Sequence, residues 1–349
     1  MLVNRRQFLI TSLGTVALAV ASPEPVSRIG IAVIGLGTQG LQLLQELLWL
    51  RESHPIEIVS LCDVQPGALQ EPGQWVPQAY PTGDYQDALT DVQAVVIATP
   101  DSSHAVILEA VLKAGLDVYL EPPLARSSQE AEQLIQLARE RGCIVQLGIH
   151  QVNHSGYAAA REVVTSGGLG KISHIEIAVS LEALSTPPTW QLSREFSDGQ
   201  AALILTRVFE IVRYIMDVSI PFQVAAQGGV YVWQDGRTNP DTIHVLLNYS
   251  QGFLLSFSMG LAKSAFNIYG TRGTLDLLNW QRTSTGAVAS PILEPPSAQS
   301  SNTLRMHLAD WLTCIQRRYT PRLPIQSGYD QVRLVESVLS AYHDNRSSL

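Results

Sequence analysis

RIGIAVIGLGTQGLQLLQELLWL, residues 28–50, is the stretch on which the fold turns. Ile29 to Ile34 form a short β-branched apolar run without polar alternation, the pattern of a strand buried on both faces in a parallel sheet. Gly35, Gly37 and Gly40 follow at G-x-G-x-x-G spacing, and Leu41, Leu44, Leu47 and Leu48 then recur with helical period. The glycines therefore sit at a strand-to-helix turn. There each has a reason: one for the tight turn, one to let a pyrophosphate approach the backbone, one for close packing of helix on strand. A second strand, IEIVSLCD, ends at Asp63, about 20 residues beyond the glycines, where an acid holds the adenosine ribose hydroxyls of NAD. Val64 and Gln65 follow, with no Arg or Lys to neutralise a 2′-phosphate, which favours NAD over NADP. An acid at a strand end also serves as a turn or cap residue. Glycines and acid together, at this spacing, point to a dinucleotide.

The alternation continues with strand AVVIATP (94–100), helix SHAVILEAVLKAG (103–115), strand DVYL (117–120), helix SSQEAEQLIQLARERG (127–142) and strand CIVQLG (143–148). Such alternation builds a parallel sheet with right-handed crossovers, and ligands bind outside the carboxyl ends of its strands. Those ends are Gly35–Gly40, Asp63, Thr99–Pro100, Glu121–Pro123 and the segment after Gly148. From about residue 150 the rhythm changes. A helix (154–167) leads to the strand ISHIEIAVSL, an irregular stretch (183–199) and the helix AALILTRVFEIVRYIM. QVAAQGGVYVW, TIHVLLNYS, GFLLSFSMG and FNIYG/GTLDLL then read as strands joined by tight turns, an antiparallel pattern. Residues 284–302 read as a loop, and two helices (303–317 and 328–344) either cover the sheet or return to the first domain. The expected fold is α/β: an N-terminal Rossmann doubly wound parallel sheet over 28–149, and over 150–349 a C-terminal α+β domain with a large, mostly antiparallel sheet.

The 349 residues suit two domains, and a net charge of −8 without a Lys/Arg cluster gives no footprint for nucleic acid. Cys62, Cys143 and Cys314 match no zinc spacing and imply no disulfide, and no H-E-x-x-H pattern points to a metal. There is no G-x-S-x-G nucleophile elbow for hydrolysis. VNRRQFLITSLGTVALAVAS (3–22) places Arg5 and Arg6 before a short apolar run and an Ala-x-Ala cleavage site. Roughly 13 apolar or small residues fall short of the ~20 that a bilayer span needs. Residues 1–27 therefore read as a twin-arginine (Tat-type) signal and linker, an uncleaved anchor being the other reading. The processed chain is expected to be exported to a periplasm or thylakoid lumen, with no stable membrane span.

Three blocks in order resemble the Gfo/Idh/MocA family of sugar and polyol oxidoreductases, over a match from about residue 28 to the C-terminus. ATPDSSHAVILEAVLKAGLDVYLEPPLA (98–125) is similar to the family's block running from ATP-D-x-x-H to E-K-P-L-A. GGLGKI (167–172) resembles the turn that opens its second domain, and IYGTRGTLDL (268–277) its G-T-x-G-x-L hairpin. The resemblance implies NAD(P), a cleft for a small-molecule substrate such as a sugar or polyol, and homodimers or homotetramers packed through the open face of the antiparallel sheet. It places Gly35, Gly37, Thr38, Gln39 and Gly40 at the pyrophosphate, Asp63 at the ribose, and Thr99, Pro100 and Glu121 at the nicotinamide end. His104 aligns with a commonly retained histidine beside this cofactor set; a structural role at the start of its helix is the other reading.

The departures lie on the substrate side. Where the family has Glu-Lys-Pro, this chain has Glu121-Pro122-Pro123. That lysine serves or assists as general base in the family, and a proline cannot. The proline whose preceding peptide bond is often cis is kept as Pro123. The family's D-x-G-x-H-x-x-D helix aligns with Leu203, Leu205, Arg207 and Glu210, and its Arg-Arg pair after Gly148 reads Gln151-Val152. Arg207 stays protonated at any accessible pH, so it suits a carboxylate or an alkoxide and is a poor base. The biliverdin-reductase branch also lacks the lysine and carries arginines on this helix. Arg207, Glu210 and Arg213 either line the substrate cleft or form a salt-bridged stripe. His150 is either a replacement base or a satisfied structural histidine. Arg207, Glu210 and His150 are thus the catalytic candidates. Two functions stand open: an NAD(H) oxidoreductase moving hydride on a sugar, polyol or similar molecule, slowed by the lost Lys and His, or a catalytically silent dinucleotide- or ligand-binding protein.

Overall fold

The structure, a computed structural model, describes residues 28–183, 187–285, 290–291 and 302–347; residues 1–27, read as a signal and linker, and most of 284–302, read as a loop, lie outside the described residues, and within the latter stretch Ser290 and Pro291 form a short strand instead. The opening apolar run forms β1 (Ile29–Ile34), buried at every position. After the glycine turn comes α1 (Thr38–Leu50), which buries Leu43, Leu44, Leu47 and Leu50. With β2 (Ile56–Cys62), β3 (Tyr80–Thr82), β4 (Ala94–Ile97), β5 (Asp117–Leu120) and β6 (Val145–Leu147), β1 makes a parallel sheet ordered β3-β2-β1-β4-β5-β6. The chain turns back from β3 across β1 to β4, so the crevice for a dinucleotide opens at the carboxyl ends of β1 and β4. The crossovers are α2 (Gln70–Trp75), α3 (His104–Lys113) and α4 (Ser128–Arg141). The last of these starts on a Ser127 cap to the Glu130 N–H and stops on Gly142 in the left-handed region.

The glycine turn is held by close approach. Gly35 takes φ +88°, and a Cβ on Gly40 would lie 1.8 Å from the Gly35 carbonyl oxygen, so α1 can pack on β1 here only through a bare backbone.

The second sheet collects β7 (Ile172–Ser180), β8 (Gln223–Gly229), β9 (Thr242–Tyr249), β10 (Phe253–Gly260), β11 (Ala265–Gly270), β12 (Gly273–Asp276), β13 (Gln281–Ser284) and β14 (Ser290–Pro291). Its order is β14-β13-β12-β11-β7-β10-β9-β8, antiparallel throughout except where β7 meets β10. Alternation assigns the faces: Ile243, Val245, Leu247 and Tyr249 point to the core, while His244 and Leu246 point out. The strand expected to reach Trp233 stops at Gly229. There Asp241 accepts the backbone N–H groups of Tyr231, Val232 and Trp233 and curls the chain into a loop.

Helices α5 (Ser155–Thr165) and α6 (Gly199–Met216) cover the inner face, and α7 (Thr303–Arg317) and α8 (Ile325–Ser347) follow the sheet. α7 returns to the first domain, where Leu304, Leu308, Trp311 and Leu312 share a core with β1, α1 and Tyr119. α8 joins the two layers. Leu147 donates to the Leu323 carbonyl just before it, Glu336 accepts the Ser128 N–H that opens α4, and Gln331 donates to Glu210 of α6. The segment 150–349 is therefore not a self-contained body, because its terminal helices complete the Rossmann half.

Gly40→Ala is expected to lower stability in urea by at least ~2 kcal/mol, as overpacking against rigid backbone does; an unfolding midpoint equal to the parent's would show that the helix can retreat.

Candidate functional site

The first turn of α1 is dressed for an anion. Gly37 caps it with extended backbone and no side-chain hydrogen bond, and no acid stands in the turn. The opening N–H groups, at Thr38, Gln39 and Gly40, are thus left to a ligand at the positive end of the helix dipole. A Cβ on Gly37 would meet nothing within 4 Å, so the space in front of the helix is open. Asp63 stands beside it: one carboxylate oxygen accepts the Leu36 N–H at 2.8 Å and the other the Gln65 N–H at 2.8 Å. Each oxygen keeps a lone pair for a ribose hydroxyl. Open cradle, bare helix end and anchored acid all fit an adenine dinucleotide.

At the other end of the crevice, β4 leads to Thr99 and Pro100. Thr99 accepts a hydrogen bond from Ser103, and its carbonyl lies 2.9 Å from Nε2 of His104. Nδ1 of His104 lies 2.7 Å from the Pro123 carbonyl, and the ring is 1% exposed. His104 therefore ties the end of β4 to the proline turn after β5, as a structural histidine. The Pro122–Pro123 bond is cis.

Glu121 ends β5 and is 5% exposed. It needs Gly148 on the neighbouring strand, since a Cβ there would fall 2.4 Å from its Oε1. Burial pushes its carboxyl up to about 7, against the charge of Arg207 and polar contacts from Gln39 and Arg207. Nη2 of Arg207 lies 3.6 Å from Oε2, while the buried Oε1 accepts no hydrogen bond. His150 sits just beyond Gly148, with Nδ1 2.9 Å from the Thr303 hydroxyl of α7 and Nε2 3.2 Å from the Gln151 amide. Burial, and then the charge of Arg207, lower it to about 4, so it is a neutral imidazole at neutral pH. Gln39, Glu121, His150 and Arg207 thus gather from four separate segments.

Glu210 belongs elsewhere. It accepts from Gln331 at 2.9 Å and from Arg213 at 3.4 Å, and Arg213 also reaches Asp330 at 3.4 Å. The charged stripe on α6 divides accordingly: Arg207 turns to the cleft, while Glu210 and Arg213 stitch α6 to α8. What holds α6 in register had no sequence signal. Asp101 accepts the Ser197 hydroxyl, and Arg126 donates to the carbonyls of Arg194 and Glu195 and to Asp198. The segment before α6 is thereby strapped to the first domain. The Gln39 side chain, read in sequence only as part of the glycine turn, and Thr303 were also missed; the hint available was a lone acid ending the apolar strand DVYL. Among the described residues no group of three His, Cys, Asp or Glu could hold a metal ion, and no helix is long and apolar enough to cross a membrane.

Residues 29–149 match the oxidoreductase family with an NAD-binding Rossmann fold, GFO/IDH/MocA, and residues 157–276 match the GFO/IDH/MocA C-terminal domain. The chain belongs to this family. It is 27% identical over 143 residues to inositol 2-dehydrogenase of Salmonella typhimurium, covering 40% of this chain and 42% of that enzyme. It is 26% identical over 273 residues to 2,7-anhydro-N-acetylneuraminate hydratase of Mediterraneibacter gnavus, covering 72% and 68%. The match to the inositol enzyme thus spans less than half of it. The fold of an oxidoreductase domain protein from Kribbella flavida superposes with TM-score 0.78 at 21% identity, over 91% of this chain and 98% of that one. Levoglucosan dehydrogenase in complex with NADH gives 0.77 at 17%, over 91% and 97%. The GFO/IDH/MocA membership makes the first domain an NAD-binding one, with the glycine turn and Asp63 where such a domain needs them.

The raised carboxyl of Glu121 makes stability pH-dependent in a definite sense. Its ordinary value is 4.5 and its folded value about 7, so the folded chain binds the proton more tightly. This contribution is full below pH 4.5 and is lost as pH rises through about 7. Glu121→Gln is expected to flatten the fall in urea-unfolding free energy between pH 5 and 8; an unchanged slope would show that another group titrates there.

Proposed function

We propose that the chain is an NAD(H)-dependent oxidoreductase that moves hydride between the cofactor and an oxygen-bearing carbon of a sugar, polyol or similar small molecule. The open space before Gly37, with Asp63 tethered to Leu36 just ahead of it in the turn, is the observation that carries this reading. Bound NAD(H) would supply the hydride chemistry, and the chain supplies position, charge and a proton carrier. The N–H groups of Thr38, Gln39 and Gly40 hold the pyrophosphate, Asp63 the ribose, and Thr99 and Glu121 the nicotinamide end. Arg207 stabilises negative charge on the substrate oxygen.

The proton needs a group that Pro122 cannot provide. Glu210 is committed to α8. His150, held near 4, is too weak a base to take up a hydroxyl proton readily. Glu121, near 7, is matched to neutral pH: it accepts the hydroxyl proton in oxidation and returns it in reduction. General acid–base catalysis is worth about 10²–10⁴ in rate, and Glu121 supplies it here without the lysine that lysine-bearing relatives have beside it, so slower turnover than theirs is expected. Relatives named as an inositol dehydrogenase and a levoglucosan dehydrogenase support the substrate class. The silent binding protein remains the second reading because Pro122 stands at the lysine position.

Denaturing the purified protein and assaying the supernatant for NAD(H) is expected to release dinucleotide, whose oxidation state changes when sugars or polyols are added first. Gly37→Ala should keep the fold and release at least about tenfold less, since a methyl group fills the cradle. No dinucleotide and no NADH binding on titration would end the reading; dinucleotide that no substrate reduces or oxidises would establish the silent one.

We further propose that residues 1–27 direct Tat-type export of the folded protein, loaded with dinucleotide that is scarce outside the cytoplasm, to a periplasm or thylakoid lumen. Replacing Arg5 and Arg6 by Lys should retain the protein in the cytoplasm, as fractionation would report; unchanged export would refute the signal. A homodimer or homotetramer through the open sheet face belongs to the same reading, supported by Leu246 and Leu254, exposed at 47% and 37% on that face.

A further inference from the structure

We infer that the substrate presents a carboxylate to Arg207, and that Arg207 exchanges Glu121 for this carboxylate on binding. The inference deepens the oxidoreductase reading and rests on it in one respect, that the ligand enters on the Glu121–Arg207 side of the bound dinucleotide.

A guanidinium offers five N–H donors in one plane. Arg126 donates to Asp198 and two carbonyls, and Arg213, farther along α6, reaches both Glu210 and Asp330. Arg207 meets one acceptor oxygen, 3.6 Å away. Charge-assisted pairs ordinarily close to about 2.7–2.9 Å, so this contact is loose. Arg207 is nonetheless two-thirds buried, with 33% of its side chain exposed, and a cation so placed is costly without a good partner. Leu203, one helical turn before it on α6, and Pro122, which follows Glu121, carry no side-chain acceptor. A neutral polyol would bring hydroxyl dipoles to this guanidinium. A carboxylate brings two oxygens in the plane of the fork, the geometry for which arginine is suited.

The partner to be displaced is prepared to leave. Oε1 of Glu121 is buried without a hydrogen bond, and Arg207 supplies the single cation that favours its ionised form. Once the substrate holds that cation, Glu121 takes a proton from solvent and stays in place as a neutral acid, the form that gives a proton in reduction; in oxidation it must first return this proton to solvent before it takes the hydroxyl proton. The surrounding groups do not share this proton. Tyr119 on β5 is pushed further above its usual range, first by burial and then by Glu121. His150 after β6 is held near 4 and His307 on α7 near 3, both first by burial, and Gln39 on α1 carries no charge. Among these neighbours Glu121, raised by burial to about 7, is the one whose charge changes near neutral pH. Carboxylate binding should therefore weaken as pH rises, because an ionised Glu121 competes for Arg207.

The test compares D-glucuronate with D-glucose, which differ by a carboxylate in place of a hydroxymethyl group, by calorimetric titration into the full chain saturated with NADH. Glucuronate is expected to bind at least about tenfold more tightly at pH 6. Its affinity should fall by up to about tenfold per pH unit above 7, with net proton uptake revealed by buffers of different ionisation enthalpy. Arg207→Leu should erase the preference, Arg207→Lys should keep part of it and guards against a folding failure, and Glu121→Gln should keep it while removing the pH dependence. Equal affinities, no glucuronate binding at millimolar concentration, or a preference that survives Arg207→Leu would overturn the inference. A separate NADH titration of each variant tests the underlying reading, whose failure is loss of dinucleotide binding in the parent protein.

Discussion

The hydrogen bond from the Leu36 N–H to the Asp63 carboxylate joins the glycine turn to the end of β2, and the nucleotide half of the molecule is organised around it. It fixes the acid beside the mouth of α1 while the Gln65 N–H steadies the second oxygen. The close contact of Gly40 with Gly35 keeps α1 against β1, so the positive helix end and the acid hold a constant separation. The places proposed for pyrophosphate and ribose are in this sense one rigid piece of backbone, with side chains contributing a single carboxylate.

The substrate side is built on the opposite principle. Its groups come from α1, the end of β5, the segment after β6 and α6, and meet only because the second domain is strapped down by Asp101 and Arg126. Burial sets their character more than their mutual charges do: it raises Glu121 toward neutrality and keeps His150 uncharged. What remains is one permanent cation facing a carboxyl that can be either charged or neutral. A site of this kind is suited to binding negative charge and handing over a proton, and poorly suited to a base-first mechanism built on lysine and histidine.

Much of this was legible in the chain. Period-2 and period-3.6 patterns located most strands and helices of both domains, because burial of one face is a local property written into residue spacing; the short β3, β13 and β14 and α2 were not read, being too short to show a period. Gly35, Gly37, Gly40 and Asp63 were readable for the same reason: their roles depend on backbone within a few residues or at one fixed strand spacing. Pro122 and Arg207 could also be read, as expected departures from the pattern that the family resemblance implies. The end of β8 was not legible, since Val230, Tyr231 and Val232 look like strand and are turned aside by Asp241, which captures three N–H groups. Nor could spacing tell whether α7 covers the second sheet or returns to the first, because its apolar face would serve either.

Sequence alone thus settled the α/β architecture and pointed to the glycine turn as the place for a dinucleotide. The tertiary structure decided which charged residues share a space. It sent Arg207 to Glu121 and Glu210 to α8, although three positions on one helix separate them, and it placed His104 between two carbonyls. The reason is physical: a helix face says which residues point the same way, but desolvation and pairing depend on groups brought in by the fold, 86 residues along the chain from Glu121 to Arg207 and 121 from Glu210 to Gln331.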